Sequence, residues 1–321
     1  DDLDAFRSVA EAQSIPLNAR VVSESRRPGS GLPPLWRMRE SMWLLDPLRE
    51  QAGKEIARED LQSRLDGLRA ACGRSRWADL LAEAAAAFPE PQALAEEWSE
   101  HFHEYLAGTR RDGRMGTGGV WLSTIHAAKG TEHGHVAVAG AWDGHGQANS
   151  EEARRLLYVG MTRARRALVV VDRIDRGTAL LRPLREAPEI AQETAALPGQ
   201  PLPLKNYRVL GPADFDLGFG GRDELARVRR IAEALRGVRA GDQLSWAENS
   251  AGILLKSGRC AVAMLSREGT RKFRDWADRV EVVQVLGVYG WRKEDVGPEW
   301  RNDYVTDRWG VPLCEAVLKR R

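Results

Sequence analysis

The sequence has 321 residues, which is enough for two domains at about 150 residues each. Hydrophobic residues make up 43% and charged residues 29%, a composition that is typical of a globular protein and excludes a disordered or collagen-like chain. The net charge is +2, although 41 of the 48 basic residues are arginine, the side chain best suited to bidentate phosphate contacts. A GC-rich genome also favours arginine codons, so this excess alone does not indicate nucleic-acid binding.

The cysteines and the N-terminus predict a reducing, cytoplasmic setting. Cys72, Cys260 and Cys314 are far apart and form no CxxC pair, so we expect neither a disulfide framework nor a thiolate zinc site. No apolar run approaches the roughly 18 residues of a membrane helix, and the acidic N-terminus lacks the apolar core of a signal peptide. We therefore expect no membrane partner. The chain does not begin with Met, which we interpret as the mark of a fragment or a processed piece.

The first third of the chain is predicted to be mostly helical. Apolar residues at helical spacing indicate a helix before Pro16, and residues 19–22 are expected to be extended. The Pro/Gly-rich segment 27–35 then interrupts the chain. Two further apolar runs predict a helix–helix core, and Gly108 is expected to end the second run. These runs are Trp77, Leu80, Leu81, Ala84 and Phe88, and then Leu94, Trp98, Phe102 and Leu106.

The next segment has the strand–loop–strand–helix–strand order of an α/β fold. Strands are predicted at 120–124, 136–140 and 167–172, the last of them buried, and a helix at 150–166 with Asn149 or Ser150 as its cap. The Pro-rich segment 173–212 is interpreted as a linker or an irregular wrap. The remaining elements indicate a small α+β domain. They are a helix at 222–236 ended by Gly237, β-like runs at 243–247, 252–256, 260–265 and 280–288, and a hairpin turn at Ser257 and Gly258.

Motifs that would bind a nucleotide or a metal without help are missing. No GxxxxGK[ST] phosphate loop occurs, and AAKGT at 127–131 carries Lys and Gly in the reverse order. His101 and His103 are two apart on a predicted helix and therefore point away from each other. No Cys or clear acidic partner accompanies the other histidines, so we predict no metal site. These histidines are His126, His133, His135 and His145.

Two segments resemble motifs V and VI of the UvrD/Rep-type superfamily 1 DNA helicases. The segment STIHAAKGTEHGHVAV at 123–138 matches motif V at Thr124, His126, Ala128, Lys129, Gly130 and Glu132. The segment EEARRLLYVGMTRARRALVV at 151–170 matches motif VI at Arg154, Arg155, Leu156, Tyr158, Val159, Thr162, Arg163 and Ala164. Residues 3–22 resemble the helix and strand just after motif IV. The tail, at 257–269 and 305–317, resembles the C-terminal region of large bacterial proteins that join a RecQ-like helicase to UvrD-like motifs.

This resemblance implies an α/β fold with a second RecA-like helicase domain, a parallel sheet with flanking helices. A helical insert interrupts it and a small C-terminal α+β domain follows. The implied boundaries are 1–30 for the start of the RecA-like domain, 31–115 for the insert, 116–175 for the RecA-like core, 176–212 for a linker and 213–321 for the accessory domain. In this family two RecA-like domains hold one ATP, and the first carries the phosphate loop and the Mg²⁺-binding acids. We therefore expect ATP, Mg²⁺, single-stranded DNA and a first motor domain, in the same longer chain or in a partner, as ligands and partners. A role in DNA repair would fit these expectations.

The resemblance also assigns roles to single residues. Arg163 matches the arginine finger that reaches the γ-phosphate, and an ion pair with Glu151 or Glu152 is the competing role. Gly130 and Glu132 match the positions that approach the nucleotide and contact its ribose. Thr124 and His126 match positions that meet the single strand or couple it to ATP, and a hydrogen bond within the loop is the alternative for His126. Thr131 and His133 depart from the family pattern, which has an apolar residue and an aromatic residue at those positions.

We interpret the chain as the C-terminal motor half of an ATP-dependent DNA helicase or translocase. Because the phosphate loop is absent, we expect the isolated chain to be inactive. The main alternative is a non-catalytic nucleic-acid-binding or regulatory module that keeps a helicase-like fold. A metal-dependent nuclease would need a cluster of carboxylates, and the sequence offers none in a credible frame.

Overall fold

The computed structural model describes residues 7–10, 17–19, 34–73, 75–112, 120–126, 128–139, 151–172, 179–194 and 205–319. The helices in this part of the chain are α1 (Arg39–Glu50), α2 (Arg58–Cys72), α3 (Arg76–Ala87), α4 (Ala95–Asp112), α5 (Glu151–Met161), α6 (Arg182–Glu186), α7 (Leu225–Gly237) and α8 (Arg267–Arg274). The strands are β1 (Leu17–Ala19), β2 (Glu55–Ala57), β3 (Gln92–Leu94), β4 (Val120–Leu122), β5 (His133–Ala139), β6 (Ala164–Val171), β7 (Lys205–Leu210), β8 (Gln243–Asn249), β9 (Gly252–Ser257), β10 (Cys260–Met264), β11 (Val280–Arg292) and β12 (Arg308–Lys319). The chain folds into two compact units.

The first unit comprises residues 1–21, 112–114 and 118–203, and it combines helices with parallel strands. β5 pairs in parallel with β6, and β1 pairs in parallel with β4. Helix α5 packs on β5, where Leu157 joins Val138 and Leu181 in a small apolar core. Parallel strands joined through a helix fit the α/β class that the sequence predicts.

The helix and strand that flank Arg163 differ from the prediction. Helix α5 ends at Met161 rather than at residue 166, and β6 begins at Ala164 rather than at residue 167. Pairing with β5 draws the residues after the turn into the sheet, so tertiary contact overrides the helical pattern. β6 is also not buried, since Val169 is 57% exposed and no layer among the described residues covers that side of the strand pair. The predicted caps, Asn149 and Ser150, lie outside the described residues.

The second unit comprises residues 22–111, 115–117 and 204–321, and it is built on a six-stranded antiparallel sheet. The strand order is β10-β9-β8-β11-β12-β7, in which β11 and β12 form the longest pairing. β9 and β10 form the predicted hairpin, in which Ser257 pairs with Cys260. Gly258 takes the turn at a φ of +58°, a conformation that glycine adopts without steric cost.

Helices α1 to α4 pack against this sheet and share its core. Met38 forms a β-bridge with Tyr289, and the Trp77 indole N–H donates to the carbonyl oxygen of Leu286 over 3.3 Å. One apolar cluster extends from Leu35 through the helices into β9, β11 and β12. The sequence predicts the helical insert over 31–115 and the α+β domain over 213–321 as separate domains. In the structure they form one folded unit, because long-range apolar contacts of this kind leave no local signal in the sequence.

Two smaller predictions for this unit also differ from the structure. Helix α4 continues past Gly108 to Asp112, so this glycine does not end the helix. The predicted linker over 176–212 contains β7, which pairs with β12 from Leu210 to Lys205 at the edge of the sheet. The proline-rich composition of that segment conceals the strand, although the stretch from Leu204 to Gly211 contains no proline.

A buried ionic cluster joins α1, α7 and the residue before α3. Arg39 donates through Nη1 to the carbonyl oxygens of Leu235 and Val238, over 2.9 and 2.8 Å, and so caps the C-terminal end of α7. Its Nη2 donates to Glu40 Oε1 over 2.9 Å, and the Ser75 hydroxyl donates to the same oxygen over 3.2 Å. Glu40 is only 1% exposed, so its charge depends on Arg39 for compensation.

The three cysteines are free thiols, and burial raises the pKa of the Cys72 and Cys314 thiols, which favours their protonated forms. Within the part of the chain that the structure describes, no helix is both long enough and apolar enough to cross a membrane. The same part of the chain contains no group of three His, Cys, Asp or Glu side chains arranged to hold a metal ion. His145 lies outside the described residues.

Replacement of Gly269 by alanine is expected to destabilise the second unit by about 1–3 kcal/mol, the usual cost of overpacking. A Cβ on Gly269 would stand 2.1 Å from the backbone carbonyl oxygen of Asp214, and a backbone atom cannot swing aside. Gly67 in α2 is the matched control, because a Cβ there meets no atom within 4 Å and alanine favours helix. Urea denaturation of both variants is the measurement. If Gly269→Ala were as stable as Gly67→Ala, this close packing of α8 on residue 214 would be contradicted.

Candidate functional site around Arg163

Thr124 and His126 lie in a tight turn that leads into β5. The Ala128 amide donates to the Thr124 carbonyl oxygen over 3.0 Å, and the Lys129 amide donates to the His126 carbonyl oxygen over 3.3 Å. The turn therefore closes through its backbone, and the side chains of Thr124 and His126 are exposed. Among the described residues no hydrogen bond to the His126 imidazole is present.

The turn ends in a glycine followed by an acid. Gly130 has a φ of +87°, in the left-handed region that glycine adopts readily, and a Cβ there would meet no atom within 4 Å. The backbone at Gly130 is thus open to a ligand. Glu132 is exposed and pairs with Arg165, whose Nη2 lies 2.5 Å from Oε2. The other carboxylate oxygen of Glu132 accepts no hydrogen bond from the described residues.

The guanidinium of Arg163 is held by three hydrogen bonds to its own chain. Nε donates to the Val159 carbonyl oxygen over 2.9 Å, Nη1 to the Thr131 carbonyl oxygen over 3.0 Å, and Nη2 to the Thr162 hydroxyl over 3.0 Å. A guanidinium has five N–H groups, so two remain for an external acceptor. The side chain is half-buried, which limits its freedom to turn away.

The sheet register explains why Arg163 meets the turn. β5 and β6 begin opposite each other at His133 and Ala164, and the His133 amide donates to the Arg163 carbonyl oxygen over 2.8 Å. Thr131, two residues before His133, is therefore brought beside Arg163. Arg163 lies in the turn between α5 and β6 rather than on the helix where the sequence predicts it. Its backbone is fixed at both ends, by the helix that ends before it and by the strand that begins after it.

The predicted rival ion pair of Arg163 is not present. Glu151 instead pairs with Arg155 over 3.2 Å and lies 4.0 Å from Arg154, both on the surface of α5. Among the described residues no carboxylate lies within ion-pair distance of the Arg163 guanidinium. The three neutral acceptors therefore orient the guanidinium group without neutralising its positive charge.

The sequence did not indicate which residues hold Arg163. Val159 and Thr131 act through backbone carbonyl oxygens, which any residue type offers, so no side-chain signal could have identified them. Thr131 and His133 do carry a signal, because both depart from the family pattern. In the structure the Thr131 hydroxyl donates to the Ala128 carbonyl oxygen over 2.8 Å and lies 3.1 Å from His133 Nε2, so the two departures form one polar contact.

Comparison with known proteins finds a family similar to this segment. Residues 119–171 match the UvrD-like helicase C-terminal domain. The matched range includes β4, β5, α5 and β6, and therefore the whole surroundings of Arg163.

Individual relatives support the same family. The ATP-dependent DNA helicase UvrD2 of Mycobacterium bovis is 38% identical to the chain over 109 residues, and that of Mycobacterium tuberculosis is equally similar. Each match covers 30% of this chain and 15% of the relative. The chain therefore spans a small part of the length of these UvrD-type relatives.

Proposed function

We propose that the chain is the C-terminal motor half of an ATP-dependent DNA helicase or translocase, in which a second RecA-like domain supplies Arg163 as the arginine finger. The observation that carries this proposal is the guanidinium itself. It is fixed by three neutral acceptors, has no carboxylate partner among the described residues and keeps two N–H groups for an external oxygen. The relatives named as ATP-dependent DNA helicases support the reaction class.

The chemistry of phosphoryl transfer explains why this arrangement would matter. Negative charge develops on the oxygens of the transferred phosphoryl group, and a preoriented guanidinium stabilises that charge without rearranging during the reaction. An arginine already neutralised by a carboxylate would lose that advantage. ATP would be bound mainly by a first motor domain, which would supply the phosphate loop and the Mg²⁺ ligands, in the same longer chain or in a partner.

The turn beside Arg163 would complete the site. Gly130 would let the backbone approach the nucleotide, and Glu132 would contact the ribose through the oxygen that Arg165 does not take. Thr124 and His126 would contribute to the track for single-stranded DNA, which is consistent with their exposed side chains. Contacts of this kind to a single strand are sequence-neutral and weaken as salt is added.

The isolated chain is expected to release no phosphate from ATP above background, with or without single-stranded DNA, because it has no phosphate loop. Phosphate release is measured for the chain alone and for the chain joined to or mixed with its first motor domain, where DNA-stimulated turnover is expected. The Arg163→Ala variant of the isolated chain is the matched control. Turnover by the isolated chain that survives this substitution would contradict the split site. Absence of turnover in the complete protein would instead favour the non-catalytic binding or regulatory module.

A further inference from the structure

Three neighbouring cavities of about 510, 220 and 70 Å³ surround Asp46 on the second unit, and this region is called the Asp46 groove. They lie where α1 meets the ends of β11 and β12. Among the described residues, eight basic and four acidic side chains line them. The groove belongs to no part of the site around Arg163, and every residue that lines it lies within one compact unit.

The basic side chains of the groove are only partly neutralised. Asp46 is shared by two arginines, since its Oδ1 accepts from Arg292 over 2.8 Å and its Oδ2 accepts from Arg308 over 2.5 Å. Arg292 also donates to Glu294 Oε1 over 3.0 Å. Lys293 Nζ donates to the carbonyl oxygen of Tyr304 over 2.9 Å, a partner that orients the ammonium but carries no charge. Arg49 forms no ion pair with any described residue.

The positive charges of the groove also affect the pKa of His103. Burial lowers the pKa of His103, and the nearby charges of Arg49 and Arg292 lower it further. Two guanidinium groups therefore create a positive potential that extends into the adjoining core.

An exposed indole lines another part of the groove, beside other arginines. Trp43 lines the 220 Å³ cavity together with Arg236, Arg308 and Trp309, and it remains 36% exposed. The Arg39 guanidinium lies 5.4 Å from the centroid of the Trp43 ring and supports its orientation. Aromatic faces next to arginines are the elements with which proteins bind single-stranded nucleic acids, because bases stack on the rings while phosphates meet the charges.

We infer that the Asp46 groove binds single-stranded nucleic acid, with one base stacked on Trp43 and the flanking phosphates against Arg308, Arg292 and Arg49. A duplex is not expected to bind in this way, because its bases are already stacked on one another and cannot stack on the Trp43 indole. An acidic peptide would satisfy the arginines but would gain nothing from Trp43. This inference rests on the second unit alone and does not require the proposed function of Arg163.

The test is fluorescence anisotropy of labelled dT and U 15-mers with the 321-residue chain at several salt concentrations. Trp43→Ala is expected to weaken binding about fivefold or more, the loss of one stacked base, and Trp43→Phe is expected to retain most of the affinity. Arg49→Gln is expected to reduce the slope of log affinity against log salt by about 0.7, the loss of one phosphate contact. Both oligonucleotides are expected to respond alike, since they share phosphates and stacking bases.

Matched controls separate the groove from the rest of the surface. Trp246 is 37% exposed on β8 and Arg271 is exposed on α8, so Trp246→Ala and Arg271→Gln are expected to leave binding unchanged. His126→Ala reports any contribution from the first unit. Arg49→Gln removes no ion pair among the described residues, so it keeps the inference testable if Trp43→Ala fails to fold. Unchanged binding in both Arg49→Gln and Trp43→Ala would overturn the inference. Equal competition by polyglutamate and dT, with no effect of Trp43→Ala, would also overturn it.

Discussion

Replacement of Arg163 by alanine is expected to lower the ATP turnover of the complete motor by about 10³- to 10⁵-fold, the usual contribution of an arginine finger. The loss is large because the guanidinium would meet charge that exists only in the transition state. Binding of ATP in the ground state and binding of DNA are expected to change little. Arg163→Lys is also expected to be severely impaired, because an ammonium cannot keep three hydrogen bonds to its own chain and still present two further N–H groups.

A structural role of Arg163 must be separated from this effect. Its three hydrogen bonds join the end of α5 to the turn before β5, so alanine also removes contacts that stabilise the first unit. A hydrogen bond to a charged group contributes about 1.5–3 kcal/mol to stability. If Arg163→Ala destabilises the first unit by losing such bonds, its melting temperature will fall. Arg166→Ala is the matched control, since Arg166 is exposed on β6, three residues after Arg163, and pairs with no described carboxylate. A stable Arg163→Ala motor with near-normal turnover would remove the finger assignment.

Replacement of Arg39 by methionine is expected to lower the free energy of unfolding of the second unit by about 3–5 kcal/mol, the cost of leaving one partner of a buried ion pair alone. The Glu40 carboxylate is 1% exposed and would lose the cation that compensates its charge, while Oε1 would keep the Ser75 hydroxyl as a donor. The carbonyl oxygens of Leu235 and Val238 at the end of α7 would lose their donor as well. Methionine fills a similar volume, so the loss of stability in Arg39→Met would reflect the lost charge and hydrogen bonds more than lost packing.

Urea denaturation measures this loss, and an exposed arginine of α2 provides the control. Arg69 lies 3.1 Å from Asp79 across two surface helices, and pairs of this type contribute about 0–1 kcal/mol, so Arg69→Met is expected to have little effect. Adding Glu40→Gln to Arg39→Met is expected to recover part of the stability, because the unpaired charge disappears. Equal stability of Arg39→Met and Arg69→Met would contradict the view that this cluster ties α1 to α7.

The elements around Arg163 could be predicted from the sequence because their signals are local. The alternation of strand and helix patterns over 120–172 and the family motifs locate β4, β5, α5 and β6, and the structure contains all four. The turn at Arg163 was misassigned as helix because the run from Glu151 keeps its helical pattern through the arginines. Only the register of β5 against β6 shows that the helix stops at Met161.

The second unit could be predicted only in pieces. Amphipathic spacing indicates its helices, and the Ser257–Gly258 turn indicates one hairpin, but the contacts that join them are distant in sequence. Arg39 bonds to Leu235 across 196 positions, and Arg292 bonds to Asp46 across 246. Such pairs have no periodicity to detect. The Asp46 groove could not be predicted from the sequence for the same reason, because the residues that line it come from α1 and from the ends of β11 and β12.

The most direct test of the central claim is the affinity of the complete motor for ADP with aluminium fluoride, which imitates the transferred phosphoryl group, compared with its affinity for ADP alone. The wild-type protein is expected to bind ADP–aluminium fluoride much more tightly than ADP. Arg163→Ala is expected to lose most of that difference while its affinity for ADP stays the same, and Arg166→Ala is expected to keep it. If Arg163→Ala retained the full preference for the transition-state analogue, Arg163 would not be the finger.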